Sequence, residues 1–258
     1  MDISTVLQDL LDEQNALDEI IAALDDADWE LPTPSPGWTV GDQIGHLTYF
    51  DATAAQAITD PDGFKEGVAR LFGQGLDVDE VTLGAYRRMS AADRLDAWRT
   101  NRRLLAEAAA TLSNDDRVPW YGPSMGSKSF LTARLMECWA HGQDVVDTVG
   151  VDRPGSDRLR HVAQIGFITR GWSYANRGET APEAPVRVEL TSPTGEVWTF
   201  GPPEATETVT GDAVDFCLVV TQRRHVDDTG LEATPVAREW LERAQAFAGP
   251  PTDGPKAS

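Results

Sequence analysis

Glutamate and histidine four residues apart on a helix lie one above the other on one face, about 5–6 Å apart at Cβ. Glu137 and His141 have that spacing within Ser127 to Gly150, SKSFLTARLMECWAHGQDVVDTVG, which reads as one helix. A carboxylate and an imidazole in that register can hold one divalent cation, zinc or a similar metal. Asp144 falls three residues further along the same stripe. It reads either as a partner that steadies a ligand imidazole or as a solvated charge. Because Glu–His pairs also occur in helices that bind nothing, a metal site requires a third ligand from elsewhere in the chain. His46, in GDQIGHLTYF, has two readings. One is a half-buried histidine bonded to a backbone carbonyl; the other is a ligand on a helix lying beside Glu137 and His141. Gly41 and Gly45 would let another backbone come close to that helix. Cys138 sits about 100° round the helix from Glu137 and reads as a small buried apolar residue. With Cys217 the only other cysteine, there is no paired-Cys zinc motif and no disulfide framework.

These side chains need helices to position them. Ile3 to Leu24 has helical spacing in Val6, Leu7, Leu10, Leu11, Leu17, Ile20, Ile21 and Leu24, with acids on the other face. DWELPTPSPGW is a loop, with three prolines and a glycine. Thr39 is an N-cap, with Asp42 three residues on as an imperfect capping box, and the next helix runs from about Val40 to Ile58. Asp60 to Gly75 reads as a loop with a short helix. Asp79 to Leu112 reads as one long helix whose Arg87, Arg88, Asp93, Arg94, Arg102, Arg103 and Glu107 are solvated. Ser113 to Gly126, SNDDRVPWYGPSMG, is a loop carrying Trp120 and Tyr121. These two aromatics either wall an active site or plug the end of a bundle.

Beyond the VDRPGSD break, Asp157 to Asn176 reads as a further helix, with His161 at the surface or in a structural bond, and RGETAPEAP as a linker. The C-terminal part changes character. VRVEL, the turn SPTG and EVWTF make a hairpin signal, and TETVT offers a third strand. Gly211 to Thr221 and Pro235 to Ala248 fit helices, and the tail GPPTDGPKAS reads as frayed. The order β-β-β-α-α indicates a small α+β domain. The expected organisation is a helical domain over residues 1–178 and an α+β domain over 184–250.

With 41% hydrophobic and 25% charged residues, the chain has the composition of a soluble globular protein. No apolar run approaches the roughly 18 residues of a membrane helix, and the acidic N-terminus does not read as a signal peptide. The expected location is the cytoplasm. A formal net charge of −20 repels a phosphate backbone, and the arginines form no basic stripe, so nucleic acid is not an expected partner. Oligomeric state is open.

PGWTVGDQIGHLTYFDATA, VPWYGPSMG and ECWAHGQDVVD together resemble the mycothiol-dependent maleylpyruvate isomerase family of the DinB-like metal-binding superfamily, abundant in actinobacteria. The resemblance implies a mainly α protein: an N-terminal DinB-like four-helix bundle holding a metal, and a small C-terminal α+β, sterol-carrier-like domain. It implies that His46, Glu137 and His141 are the three protein ligands. More distant DinB-like proteins have a third histidine where Glu137 stands, so this chain is closer to the isomerase type. In relatives the open positions take water and the thiolate of a low-molecular-weight thiol, here mycothiol. Their C-terminal domain supplies an arginine to the substrate; TQRRH is the matching segment, giving Arg223 or Arg224, with Arg224 assigned the catalytic part. Trp120 and Tyr121 would line the substrate side.

The implied activity is that of a metal-dependent thiol transferase or isomerase acting on a small electrophilic substrate. Three ligands with an open position suit catalysis, because a bound cation activates water or a thiol. Two rivals stand beside it: a metal-dependent hydrolase or lyase acting through bound water without thiol, and a non-enzymatic metal- or ligand-binding protein.

Overall fold

The computed structural model describes residues 2–73 and 77–257; the last two positions of the Asp60–Gly75 segment lie outside the described residues. The chain divides into two compact units, Met1–Asp152 and Arg153–Ser258. It is mainly α, with a smaller mixed α and β part in the second unit.

The first unit is built on four long helices. α1 (Ile3–Ile21) is capped by the Asp2 carboxylate and buries Val6, Leu10, Leu17 and Ile21 along one stripe. α2 (Val40–Thr59) starts at Thr39 with both bonds of a capping box, Thr39 to the Asp42 amide and Asp42 to the Thr39 amide. α3 (Pro61–Gly73) is a full helix where the sequence suggested mostly loop. Pro61 suits the first helical position, and Phe64 and Leu71, two turns apart, supply the buried face that Gly63 and Gly67 obscure.

The expected single helix from Asp79 to Leu112 is two, α4 (Val78–Arg87) and α5 (Ala91–Ala109). The break is at Ser90, extended in backbone, whose hydroxyl accepts from the Asp93 amide. Nor are all the charges on this stretch solvated. Arg94 is buried against Glu30 and the Met89 carbonyl, and Arg102 lies over the Trp98 ring and pairs with Asp18. A two-residue ladder, β1 (Arg117–Val118) with β2 (Met125–Gly126), closes the following loop. α6 (Ser127–Val149) ends at Gly150, whose φ of +71° is the left-handed cap that favours glycine.

α1 packs on α6, α2 on α5, and α2 on α6. Their shared core includes Leu17, Trp29, Ile44, Leu47, Trp98, Cys138 and Val145. One polar hub crosses it. Asp51 of α2 accepts from Gln14 Nε2 of α1 (3.1 Å), Trp98 Nε1 of α5 (3.2 Å) and Arg134 Nη2 of α6 (2.9 Å). Each of the other three long helices therefore places a donor on this carboxylate, as its burial requires.

The second unit opens with α7 (Leu159–Ile168) and α8 (Arg170–Ala175), two helices broken at Thr169 rather than one. β3 (Val186–Thr191) and β4 (Val197–Phe200) form the expected hairpin. β5 (Glu207–Asp212) pairs parallel to β3 on its other side and is followed by α9 (Ala213–Val220). A short β6 (Glu232–Ala233), not foreseen, gives the order β4-β3-β5-β6. α10 (Pro235–Leu241) stops short of the expected Ala248.

α7 lies close on α9: a Cβ on Gly166 would come within 2.6 Å of Val220. Phe167 stacks on Phe200 of the sheet. The compact division therefore falls after Asp152, ahead of α7 and α8, rather than near 178. His161, on α7, is buried. The tail is pinned, not frayed. The Thr252 carbonyl accepts from Gln222 Nε2 at 3.0 Å, and the Thr252 amide donates to Gln245 Oε1 at 3.2 Å. Among the described residues no helix is long and apolar enough to cross a membrane.

Candidate metal centre

α6 places Glu137 and His141 one turn apart, and α2 brings His46 across to them. The ligand atoms of the three residues lie within 4.8 Å of one another. His141 Nε2 is 3.1 Å, and His46 Nε2 3.4 Å, from the same carboxylate oxygen, Oε2 of Glu137. The imidazole centroids are 4.2 Å apart. Side-chain exposures of 16% for His46, 22% for Glu137 and 11% for His141 leave the cluster sheltered but reachable from solvent.

The far side of His141 is fixed by α2. Gln43 Oε1 lies 2.6 Å from His141 Nδ1, and Gln43 Nε2 donates to Thr33 Oγ1 at 2.8 Å. The Thr33 hydroxyl donates its one proton to the Trp38 carbonyl at 2.9 Å, so towards Gln43 it must accept. The amide carbonyl then faces His141, and Nδ1 carries the proton. In neutral His141 this leaves a lone pair on Nε2, aimed at the carboxylate. Two acceptors 3.1 Å apart need a positive charge between them, either a second proton on the ring or a metal cation. With a third donor, a second nitrogen, arriving from His46, the donor set suits a cation with nitrogen and oxygen ligands.

Protonation states favour the same use. Burial, and then the neighbouring His141, push His46 down to about 3, so its ring is neutral at pH 7. Burial alone would raise Glu137, but hydrogen bonds to His141 and His46 outweigh it and hold the carboxyl well below its usual range.

Asp144 is not the residue that holds His141. Its Oδ2 is 3.9 Å from Nδ1, beyond hydrogen-bond reach, and accepts instead from Ser35 Oγ at 3.1 Å. It is buried rather than solvated, and it ties the loop before α2 to α6. Cys138 is buried in the core, and neither cysteine is in a disulfide. Gly41 does admit another backbone: a Cβ there would sit 3.2 Å from the Trp29 carbonyl oxygen and overlap the Arg94 guanidinium, while one on Gly45 would sit 3.1 Å from Tyr86 Cβ.

An aromatic wall adjoins the cluster. The Trp38 ring stacks on His141 at 5.9 Å and leans on His46 at 5.2 Å, while Phe50 lies 4.5 Å from His46. Trp120 and Tyr121 stand one ring further out, 6.2 and 5.4 Å from Phe50, and both pack on Phe64. Gln43, Trp38 and Phe50 are thus additions to the residues singled out from sequence. Phe50 was readable as the i+4 neighbour of His46 on one helix face. Gln43 and Trp38 act across helices and loops, which local spacing does not reveal.

Arg223 and Arg224 belong to the second unit, directly after α9. Gln222, at φ +60° without being glycine, turns the chain into them. Arg223 Nη1 donates to the Thr221 carbonyl at 2.6 Å, and Arg224 Nη1 to the Arg223 carbonyl at 2.7 Å. Asp227, a conceivable surface partner for either, is engaged by Arg238 and lies 3.4 Å from His225.

Residues 10–146 match the family described as mycothiol maleylpyruvate isomerase N-terminal domain, and residues 182–234 match one described as wyosine base formation. Uncharacterized proteins from Mycobacterium tuberculosis strains CDC 1551 / Oshkosh and H37Rv are each 41% identical over 247 residues, covering 95% of this chain and 96% of theirs. Crystal structures of the mycothiol-dependent maleylpyruvate isomerase and of a mutant of it share the fold, with a TM-score of 0.59 at 15% identity, covering 91% of this chain and 93% of theirs. With more than half of its length matched, including His46, Glu137 and His141, the chain belongs to the mycothiol maleylpyruvate isomerase N-terminal domain family.

Proposed function

We propose that this protein is a metal-dependent enzyme that uses mycothiol as nucleophile or cofactor, as a transferase or isomerase acting on a small electrophilic substrate. The observation that carries the reading is the meeting of His141 Nε2, Glu137 Oε2 and His46 Nε2, three electron-pair donors converging on one point beside an aromatic wall. Zinc suits that donor set. When bound, a divalent cation of this kind lowers the pKa of a coordinating thiol so that it is a thiolate at neutral pH.

The chain's own residues do the rest. Gln43 orients His141, Trp38 and Phe50 exclude water from one side, and Trp120 and Tyr121 border the apolar part of the substrate beyond Phe50. The helical region carries the metal centre and the C-terminal region the substrate arginine. Arg223 or Arg224 offers a planar fork to a carboxylate or enolate oxygen, which a lysine lacks. Support for mycothiol comes from the family and from the shared fold. A cytoplasmic setting agrees with a reduced thiol and with two cysteines outside any disulfide.

The test is a titration of cobalt-loaded protein with mycothiol. A near-ultraviolet thiolate-to-cobalt absorption band that saturates supports the reading. A spectrum unmoved by mycothiol, in protein that hydrolyses an ester or amide substrate, assigns the site to bound water instead.

A further inference from the structure

The seam between α2 and α6 carries three polar contacts in sequence: Gln43 with His141, His46 with Glu137, and Asp51 with Arg134. Residue numbers rise along α2 as they fall along α6, so the helices run antiparallel. From first contact to last, α2 advances eight residues and α6 seven, about 12 and about 10.5 Å of helix rise. The last contact is the anomalous one. Asp51 and Arg134 are each 3% exposed in their side chains, and an ion pair so buried is weak evidence for stability, since apolar residues of similar volume often do as well. What it provides is direction. The fork of Arg134 reaches one carboxylate oxygen through Nη2 at 2.9 Å and Nε at 3.3 Å, and Trp98 and Gln14 hold the other. Apolar side chains along the seam tolerate sliding in a way that this array does not.

We infer that the buried Asp51–Arg134 pair is a positioning device for the metal centre: it sets the axial register of α2 against α6 and so brings His46 to Glu137. The inference rests on the metal-centre reading above. A slip of one residue along the axis is about 1.5 Å, large against metal–ligand bonds of about 2.0–2.2 Å. Neither residue is catalytic; both act through His46.

Two variants test this. Asp51→Asn/Arg134→Met removes both charges while leaving an amide oxygen for Trp98 and Gln14; Arg134→Lys keeps the charge but loses the fork. Each is compared with wild type in three measurements: cooperative unfolding, zinc affinity against a competing chelator, and the nuclear Overhauser effect between the His46 and His141 rings in metal-free protein. The expected result is a cooperatively folded double variant with zinc affinity at least tenfold weaker and the ring–ring effect lost. Arg134→Lys should fall between it and wild type, and it carries the test alone if the double variant does not fold. Zinc affinity within twofold of wild type, with the ring–ring effect intact, overturns the inference. A wild type that shows the ring–ring effect but binds no zinc refutes the metal reading, and the ring–ring comparison across the variants still decides the register claim.

Discussion

Nε2 of His141 lies 3.1 Å from Oε2 of Glu137, one turn away on the same helix, while the ring's Nδ1 proton is used on the opposite side by Gln43. With neutral His141 the pair is thereby arranged as two facing acceptors that a proton or a cation must join, and the third donor atom, a second nitrogen, comes from His46 on α2.

Gln43→Leu should weaken zinc affinity by about 10–100-fold, the usual consequence of losing the group that orients a ligand histidine. The fold should survive, since leucine fills a similar volume. Chelator competition gives the affinity. Nitrogen-15 spectra of the metal-free protein should show His141 moving away from the Nδ1–H tautomer.

Asp51→Ala should destabilise the protein by about 3–5 kcal/mol, because it strands a buried guanidinium. The Trp98 and Gln14 donors lose their acceptor as well. Denaturant unfolding measures this. A loss under about 1 kcal/mol means that water reaches the site and replaces the carboxylate.

Acid should weaken the metal-free protein in a defined window. His46 is held at about 3 in the folded state, against about 6.5 for an unperturbed histidine. Between those values the unfolded chain binds the extra proton, so stability falls as the pH falls, by up to about 1.4 kcal/mol per unit from this group. The stability it contributes is fully present above 6.5. Glu137, held low, adds a further loss below its ordinary range of about 4.5. In His46→Gln the slope between pH 6.5 and 5 should be shallower; an unchanged slope assigns it to other groups.

Arg223→Lys and Arg224→Lys separate the doublet once a substrate is in hand. The substrate-binding member should lose turnover at unchanged zinc content and unchanged thermal stability. If neither loses turnover, the C-terminal unit supplies no arginine to the reaction.

The long helices were legible because their apolar residues recur with helical period, and the Thr39 cap because its two partners are three residues apart. The Ser90 break was hidden by apolar residues that keep helical spacing on both sides of it. The unit to which α7 and α8 belong could not be read locally: periodicity shows that a helix has an apolar face, not which core covers it. The parallel pairing of β5 with β3 is likewise a matter of topology. At the site, Glu137 and His141 declare themselves by spacing on one helix. Gln43 reaches His141 across 98 positions of sequence, and a glutamine on a helix carries no local mark of such a role.

The most direct measurement is the metal content of protein dialysed against zinc and then against buffer, for wild type and for His141→Ala. The expected result is about one zinc per chain in wild type and none held stoichiometrically by the variant. Wild-type protein free of zinc, or a variant that keeps its full complement, would contradict the claim that His46, Glu137 and His141 form one metal centre.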